Sequence, residues 1–400
     1  MKRVKVITIA FAFMVVLLAA STQNVAAASR SDSLRSYINS RYDVERGGYS
    51  PPSDDVVRVD STYGAILAFN ELGTLDNRPP PVNLTKVLNS LVIRQWTSNV
   101  TGDELDIARF GGFSEYLIGP VTMRMTFLGI LLLDLLKDES DYPGINSLDI
   151  DTEGIIVYVN KTQSIDGGFS SVPDANPDII STYQALYIID FLSGYDTSLD
   201  AWNWLWNETT TLDWINSCRD GDGYKLNPNS DMPSVTATAS ALMALDLLPS
   251  VSTIPDRQVT TDWILERQLL TSDASDFIGG FEEGVDTGDA NFVSTYFAIK
   301  ALSRTGGIAS VNTSAAIDFI LNCQVEDGSW ASIPGTTTGN LVYAGQACEL
   351  LNILGDASSI LSSSVDPYSP GGIVLDWRVF VVIGIVVVAL IVAIVAVRMD

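Results

Sequence analysis

Six copies of one pattern run along this chain, and that repetition constrains its fold more than any other feature. The stretch "DGGFSSVPDANPDIISTYQALYIIDFL" begins at Asp166. Moved back by 56 residues it meets "GGFSEYLIGPVTMRMTFLGILLLDLL" from Gly111, and by 120 it meets "GGYSPPSDDVVRVDSTYGAILAFNEL" from Gly47, both without a gap. Further copies, each adjusted by one residue, begin at Gly221, Gly279 and Asp327. The aromatic anchors Tyr49, Phe113, Phe169, Tyr224, Phe281 and Trp330 lie 64, 56, 55, 57 and 49 residues apart. A period of this size marks an array of supersecondary units that bury their apolar faces on one another.

Each unit reads as a helical hairpin. Segments such as "TTLDWINSC", "TTDWILERQLL" and "AAIDFILNCQ" carry apolar residues at three- and four-residue spacing. The glycine pair then ends that helix, because glycine takes left-handed backbone angles cheaply. The aromatic residue packs between helices, and a polar loop follows. Ser or Asp stands where a helix N-cap is wanted, in "DSTY", "ISTY" and "VSTY". A second, more apolar helix completes the pair. Strand signals are scarce, so the expected class is all-α.

The chain has 48 acidic and 23 basic residues and no histidine, with a pI near 4.1. A polyanion would be repelled, which excludes nucleic acid and anionic lipid as partners. Residues 1–28 have a basic start, an apolar run and small residues at Ala26–Ala28, the pattern of a signal peptide. Residues 379–397 are uncharged and long enough to span a bilayer. With 363–378 as a stalk, the expectation is a single-pass protein of the cell membrane whose N-terminal domain is extracellular. Sequons at Asn83, Asn99, Asn160, Asn207 and Asn312 permit glycosylation. The three cysteines, Cys218, Cys323 and Cys348, form no disulfide framework and no zinc spacing. They are one bridge plus a thiol, or three buried thiols.

The repeats "DGGF…STYQAL" and "QVEDGSW" resemble the prenyltransferase and squalene-oxidase repeat family, which includes terpene cyclases and the β-subunits of protein prenyltransferases. The resemblance covers residues 31–358, in a domain of 29–362. It implies an α/α toroid of six inner and six outer helices. The helix after each glycine–aromatic loop would line the inner ring, and its N-terminal end would form the mouth of a central cavity. Protein prenyltransferases hold zinc with an Asp and a Cys at one inner-helix start and a His on another helix. Here Asp60-Ser61-Thr62-Tyr63 matches the aspartate, but Thr62 replaces the thiolate and no histidine exists, so no metal or cofactor is expected. Class II cyclases use D-x-D-D at the same place. Arg58-Val59-Asp60-Ser61 keeps the central acid and Asp178-Ile179-Ile180-Ser181 the outer one. Asp60 and Asp178 are therefore the candidate catalytic residues.

The resemblance extends to toroids that are glycosidases or lyases, which use carboxylate pairs or Tyr, Arg and His. The loops here carry Asp54, Asp55, Asp174, Asp178, Glu282, Glu283, Asp286 and Asp289, either as a solvated acidic surface or as such a pair. "DGDGY" at Asp220–Tyr224 has the start of a calcium loop with its glycine misplaced, and reads as a turn. Thr62, Thr126, Thr182, Thr238 and Thr295 are equivalent, as are Tyr63, Phe127, Tyr183 and Tyr296. They serve capping and packing, or they line a cavity; Thr62, Tyr63, Phe127, Thr182, Tyr183, Thr295 and Tyr296 are the expected lining. The leading functional expectation is a divergent, non-catalytic binding domain at the cell surface, for an apolar or saccharide ligand or a surface protein. The alternative is an enzyme, either an isoprenoid transferase or cyclase, or a carbohydrate-active toroid. Neither end repeat has the polar face of a solenoid cap, so the first and sixth hairpins are expected to meet and close the ring.

Overall fold

Residues 235–247 show why the repeats must assemble. This helix is buried at every position from Val235 to Leu245, so it has no face to offer water. The computed structural model describes residues 22–25, 27–75, 82–97, 108–137, 150–205, 207–251, 254, 256–272, 274–369 and 372–375. Helices occur in pairs along the chain. They are α1 (Arg30–Ser40) with α2 (Val59–Glu71), α3 (Leu84–Val92) with α4 (Met123–Leu136), and α5 (Thr152–Thr162) with α6 (Ile179–Tyr195). Then come α7 (Glu208–Ser217) with α8 (Val235–Leu247), α9 (Arg257–Leu265) with α10 (Phe292–Thr305), and α11 (Thr313–Asn322) with α12 (Leu341–Leu354). A short α13 (Ala357–Ser363) follows.

The even-numbered helices form the inner ring of the unit spanning residues 34–360. Each packs on the next, from α2 through α12, and α12 packs along α2, so the ring is closed. Two glycines permit that last contact. A β-carbon added at Gly64 would lie 2.2 Å from the Leu341 carbonyl oxygen, and one at Gly345 would lie 2.3 Å from that of Gly64. Further along the same crossing, the Asn352 amide donates to Glu71 Oε2 and to the Glu71 carbonyl, both at 2.7 Å.

Neighbouring repeats are stitched through their loops. The first amide of an inner helix donates to a carbonyl in the following repeat's loop: Val59 to Glu115, Met123 to Ser171, Ile179 to Leu226, Val235 to Glu283 and Phe292 to Ser332, at 2.8–2.9 Å. The aromatic anchors are all at most 2% exposed. The glycine pairs act differently from expectation. Outer helix α5 ends at Thr162, before the pair at Gly167–Gly168. Gly167 has φ +99°, and a β-carbon there would sit 2.4 Å from the Thr210 carbonyl oxygen of α7. The pair thus lets a loop lie flat on the next outer helix rather than capping its own. Short strands also appear, in the hairpins β2 (Tyr42–Asp43) with β3 (Gly48–Tyr49), β4 (Arg219–Asp220) with β5 (Gly223–Tyr224), and β6 (Phe281–Glu282) with β7 (Ala290–Asn291).

The terminal segments form a separate unit. Here the expected membrane anchor must be corrected. No helix among the described residues is long and apolar enough to cross a membrane, and residues 379–397 lie outside the described residues. Thr22–Val25, expected to leave with a signal peptide, pairs as β1 with β8 (Gly372–Leu375), expected as stalk. Most of the expected signal peptide, residues 1–21, also lies outside the described residues.

Candidate functional site

The repeated threonines face the loops. The Phe169 amide donates to Thr182 Oγ1 at 2.9 Å, and that hydroxyl donates to the Asp178 carbonyl at 2.8 Å. Thr62, Thr126 and Thr295 make the same pair of bonds, and Thr238 Oγ1 likewise receives the Tyr224 amide. Each clips an aromatic anchor's backbone to the start of an inner helix, satisfying a buried amide. Thr62, Thr182 and Thr295 are therefore not part of the cavity wall, a correction to the expected lining.

The residue after four of these threonines, all but Thr238, turns to the ring's centre. A cavity of about 320 Å³ lies there, and Tyr63, Phe127, Tyr183 and Tyr296 are among its walls. Phe297, Tyr343, Leu128, Leu131 and Met243 extend the apolar surface, and Gln184, Gln346, Arg124 and Lys300 supply the polar groups. The walls are mostly one or two turns from the N-terminal ends of the inner helices. Phe127 meets Tyr183 and Tyr187 edge-on, at ring separations of 5.8 and 5.2 Å. Burial, and next the charge of Glu349, hold the phenols of Tyr63 and Tyr296 protonated well above the ordinary tyrosine range. Burial also raises the phenol pKa of Tyr183. These hydroxyls can donate hydrogen bonds, but not serve as a phenolate base. Tyr296 donates to Glu349 Oε2 at 2.9 Å, and Lys300 pairs with Oε1 of the same carboxylate. That wall is thus neutralised. Arg124 stands at the mouth, exposed, with no ion pair or hydrogen bond to any described residue.

The two candidate acids are elsewhere. Asp60 sits in the first turn of α2, its Oδ1 taking the Ser61 amide at 2.6 Å. Asp178 is the N-cap of α6 and accepts the Ser181 amide and hydroxyl at 2.7 and 2.8 Å. Burial raises its pKa above the usual carboxylate range, against those hydrogen bonds. Neither carboxylate lines the cavity, and the loop carboxylates do not either. Asp54 pairs with Arg58, Glu282 accepts the Gly288 amide, and Glu283 accepts the Thr236 hydroxyl. Asp220–Tyr224 is a tight hairpin.

The residues do not fit the family's zinc. Thr62 Oγ1 is engaged with the Arg58 carbonyl and the Tyr49 amide. The chain has no histidine, and among the described residues no three His, Cys, Asp or Glu gather as a metal site. The three cysteines are free and buried. Burial pushes the Cys218 thiol up to about 12 and those of Cys323 and Cys348 upward too, away from the thiolate that zinc takes.

Arg124 was legible in principle. It occupies the register that Asp60 occupies one repeat earlier, two residues before the threonine. The glutamines at the outer-helix ends were also passed over. Gln95 donates to the Gly111 and Asp151 carbonyls and accepts the Asp151 amide, and Gln268 does the same with Gly279 and Asn312. Their signal is a glutamine recurring just before the glycine loop.

This architecture has known counterparts. The beta subunit of pea (Pisum sativum) protein farnesyltransferase is 24% identical over 184 residues, covering 46% of this chain and 42% of the relative. The chain thus matches less than half of that relative's length. Among solved structures, Candida albicans protein geranylgeranyltransferase-I, complexed with GGPP, superposes with a TM-score of 0.58 at 15% identity, covering 85% of this chain and 95% of the other. The type II terpene cyclase MstE of Scytonema gives 0.51 at 13%, covering 83% and 98%. A GH76 alpha-mannanase of Bacteroides thetaiotaomicron gives 0.55 at 10%, covering 82% and 94%. At such identities these superpositions speak to the fold alone. A family model describing the prenyltransferase alpha-alpha toroid domain matches residues 5–209 and 198–364, and the chain belongs to that family.

Proposed function

We propose that the central cavity binds an amphiphile, with an apolar chain among the aromatic walls and an anionic head at Arg124. In this reading the protein works by binding, without the zinc or alkene-protonating chemistry of its relatives. The observation that carries it is the wall itself: aromatic and aliphatic side chains, two amides and two cations, with no carboxylate lining it. A sugar-cleaving pair needs two carboxylates across the scissile bond, and that wall offers none. An alkene-protonating acid must face the cavity, whereas Asp178 spends its oxygens on a helix cap. An apolar chain gains about 0.8 kcal/mol per methylene buried, and the protonated phenols of Tyr63 and Tyr183 add donors without charge. The volume equals about ten waters, room for a chain of roughly ten carbons. Calorimetric titration with decyl phosphate and with decanol tests this. In a chain carrying Arg46→Gln and Lys86→Gln, which removes two cations from a separate groove on the flank, decyl phosphate is expected to bind one per chain, more tightly than decanol, and Arg124→Gln should erase that preference. Equal affinity for both before that substitution, or a preference that survives it, would refute the assigned head site.

A further inference from the structure

We propose a second site, on the flank of the first two hairpins, that binds a small oxyanion carrying an apolar body, a phosphate monoester or a carboxylate. A groove of about 560 Å³ runs there between the β2–β3 tip, residues 56–57 and α3. Arg94 lines it while only 5% exposed. Its guanidinium donates to the Ser90 carbonyl, to Ser90 Oγ at 2.6 Å and to the Val57 carbonyl at 3.0 Å. It has no carboxylate partner among the described residues, and its Nε has no acceptor. A buried cation held only by neutral groups is costly, and an arriving anion would relieve that cost.

Two more cations border the groove, Arg46 and Lys86. Their backbones lie close together. Gly47, beside Arg46, has φ +69°, and a β-carbon there would lie 2.3 Å from Lys86 Cβ, so the hairpin rests directly on α3. Lys86 Nζ donates to the Val44 carbonyl at 2.8 Å, which leaves two of its three protons for a ligand. Arg46 pairs with Asp43 at 3.1 Å. Glu45 is the one carboxylate in the lining. Three cations to one carboxylate inverts the balance of a chain with 48 acidic and 23 basic residues. Val56, Ile93 and Leu117, each more than 40% exposed, give the apolar wall. Burial, and next Arg46, lower the Arg94 pKa to about 10, in keeping with an unneutralised charge.

Titration of the full chain with phenyl phosphate, and separately with benzoate, tests this, with phenol as the uncharged control. Whichever anion binds names the natural head group. Saturable binding is expected for at least one, weakened by roughly tenfold in Lys86→Gln and in Arg46→Gln. Arg124→Gln, in the central cavity, should leave it unchanged, which separates this site from the one proposed above. Both test residues are exposed, so folding is not at stake. No saturable binding of either anion, equal binding of phenol, or binding untouched by both surface variants would overturn the proposal.

Discussion

Gly64→Ala should weaken the protein through a contact nearly 280 residues away in sequence. The new methyl would stand 2.2 Å from the Leu341 carbonyl oxygen, 2.4 Å from its carbon and 2.6 Å from the Val342 nitrogen. Ordinary contact needs about 3.5 Å, so α2 and α12 must part by about 1 Å. The obstacle is backbone on backbone, so no side chain can swing aside. Overpacking of this kind costs about 1–3 kcal/mol, and alanine's better helix propensity returns about 0.5–1 kcal/mol. A net loss of about 1 kcal/mol is expected from urea unfolding, read as a lower midpoint at unchanged slope. Gly194→Ala is the matched control. That glycine lies near the end of α6 with nothing within 4 Å of an added β-carbon, so the same swap should gain about 0.5 kcal/mol. Gly345→Ala presses on the same crossing, so the double variant should lose less than the two single losses together. If Gly64→Ala unfolds at or above the wild-type midpoint, α2 and α12 are not in contact and the ring is open.

Two further predictions follow from the repeat loops. Thr182→Val keeps the shape but orphans the buried Phe169 amide, so it should cost about 1–3 kcal/mol in urea unfolding while leaving decyl phosphate affinity intact; a loss under about 0.5 kcal/mol would show that the clip is dispensable. Asp178→Ala should cost about 1 kcal/mol through the lost N-cap, whereas Asp178→Asn keeps an acceptor. Because burial raises the folded pKa of Asp178, the native state holds that proton more tightly than the unfolded chain does. Its contribution is fully present below about 3.9, the unfolded value, and is lost as pH rises through the folded value. Stability of Asp178→Asn relative to wild type should therefore climb as pH rises above about 3.9, and a flat or falling difference would contradict the assignment.

The hairpins and their number were legible because a buried helix pair has to repeat its apolar pattern, its turn and its aromatic plug in register. Tyr63, Phe127, Tyr183 and Tyr296 could be aligned for the same reason. Their threonine neighbours were read as capping and packing or as cavity lining, and the loop hydrogen bonds favour the first. A hydroxyl one residue before a wall position looks equivalent in a periodic pattern, and only the loop's path shows that an amide points at it. Arg124 stood in the Asp60 register but was missed, since a lone exposed cation carries no periodic signal. The pairing of the terminal segments was not legible for a different reason. Residues 379–397 satisfy a length rule for a membrane span and lie outside the described residues, whereas "GIVL" at Gly372–Leu375, expected as stalk, pairs as a strand with Thr22–Val25. β-branched residues suit either setting, and pairing between distant segments is invisible to local hydropathy.

The account rests on a hollow, ligand-accepting ring centre, and Leu131→Trp tests it most directly. Leu131 lines the cavity from α4, so the indole would fill open volume rather than displace packed neighbours. Calorimetric titration of decyl phosphate into this variant, made in an Arg46→Gln, Lys86→Gln background that silences the flank groove, with the urea midpoint measured alongside, is the experiment. Unchanged or slightly raised stability with binding abolished is the predicted result. Wild-type affinity in a folded Leu131→Trp protein would place the ligand elsewhere and contradict the central claim.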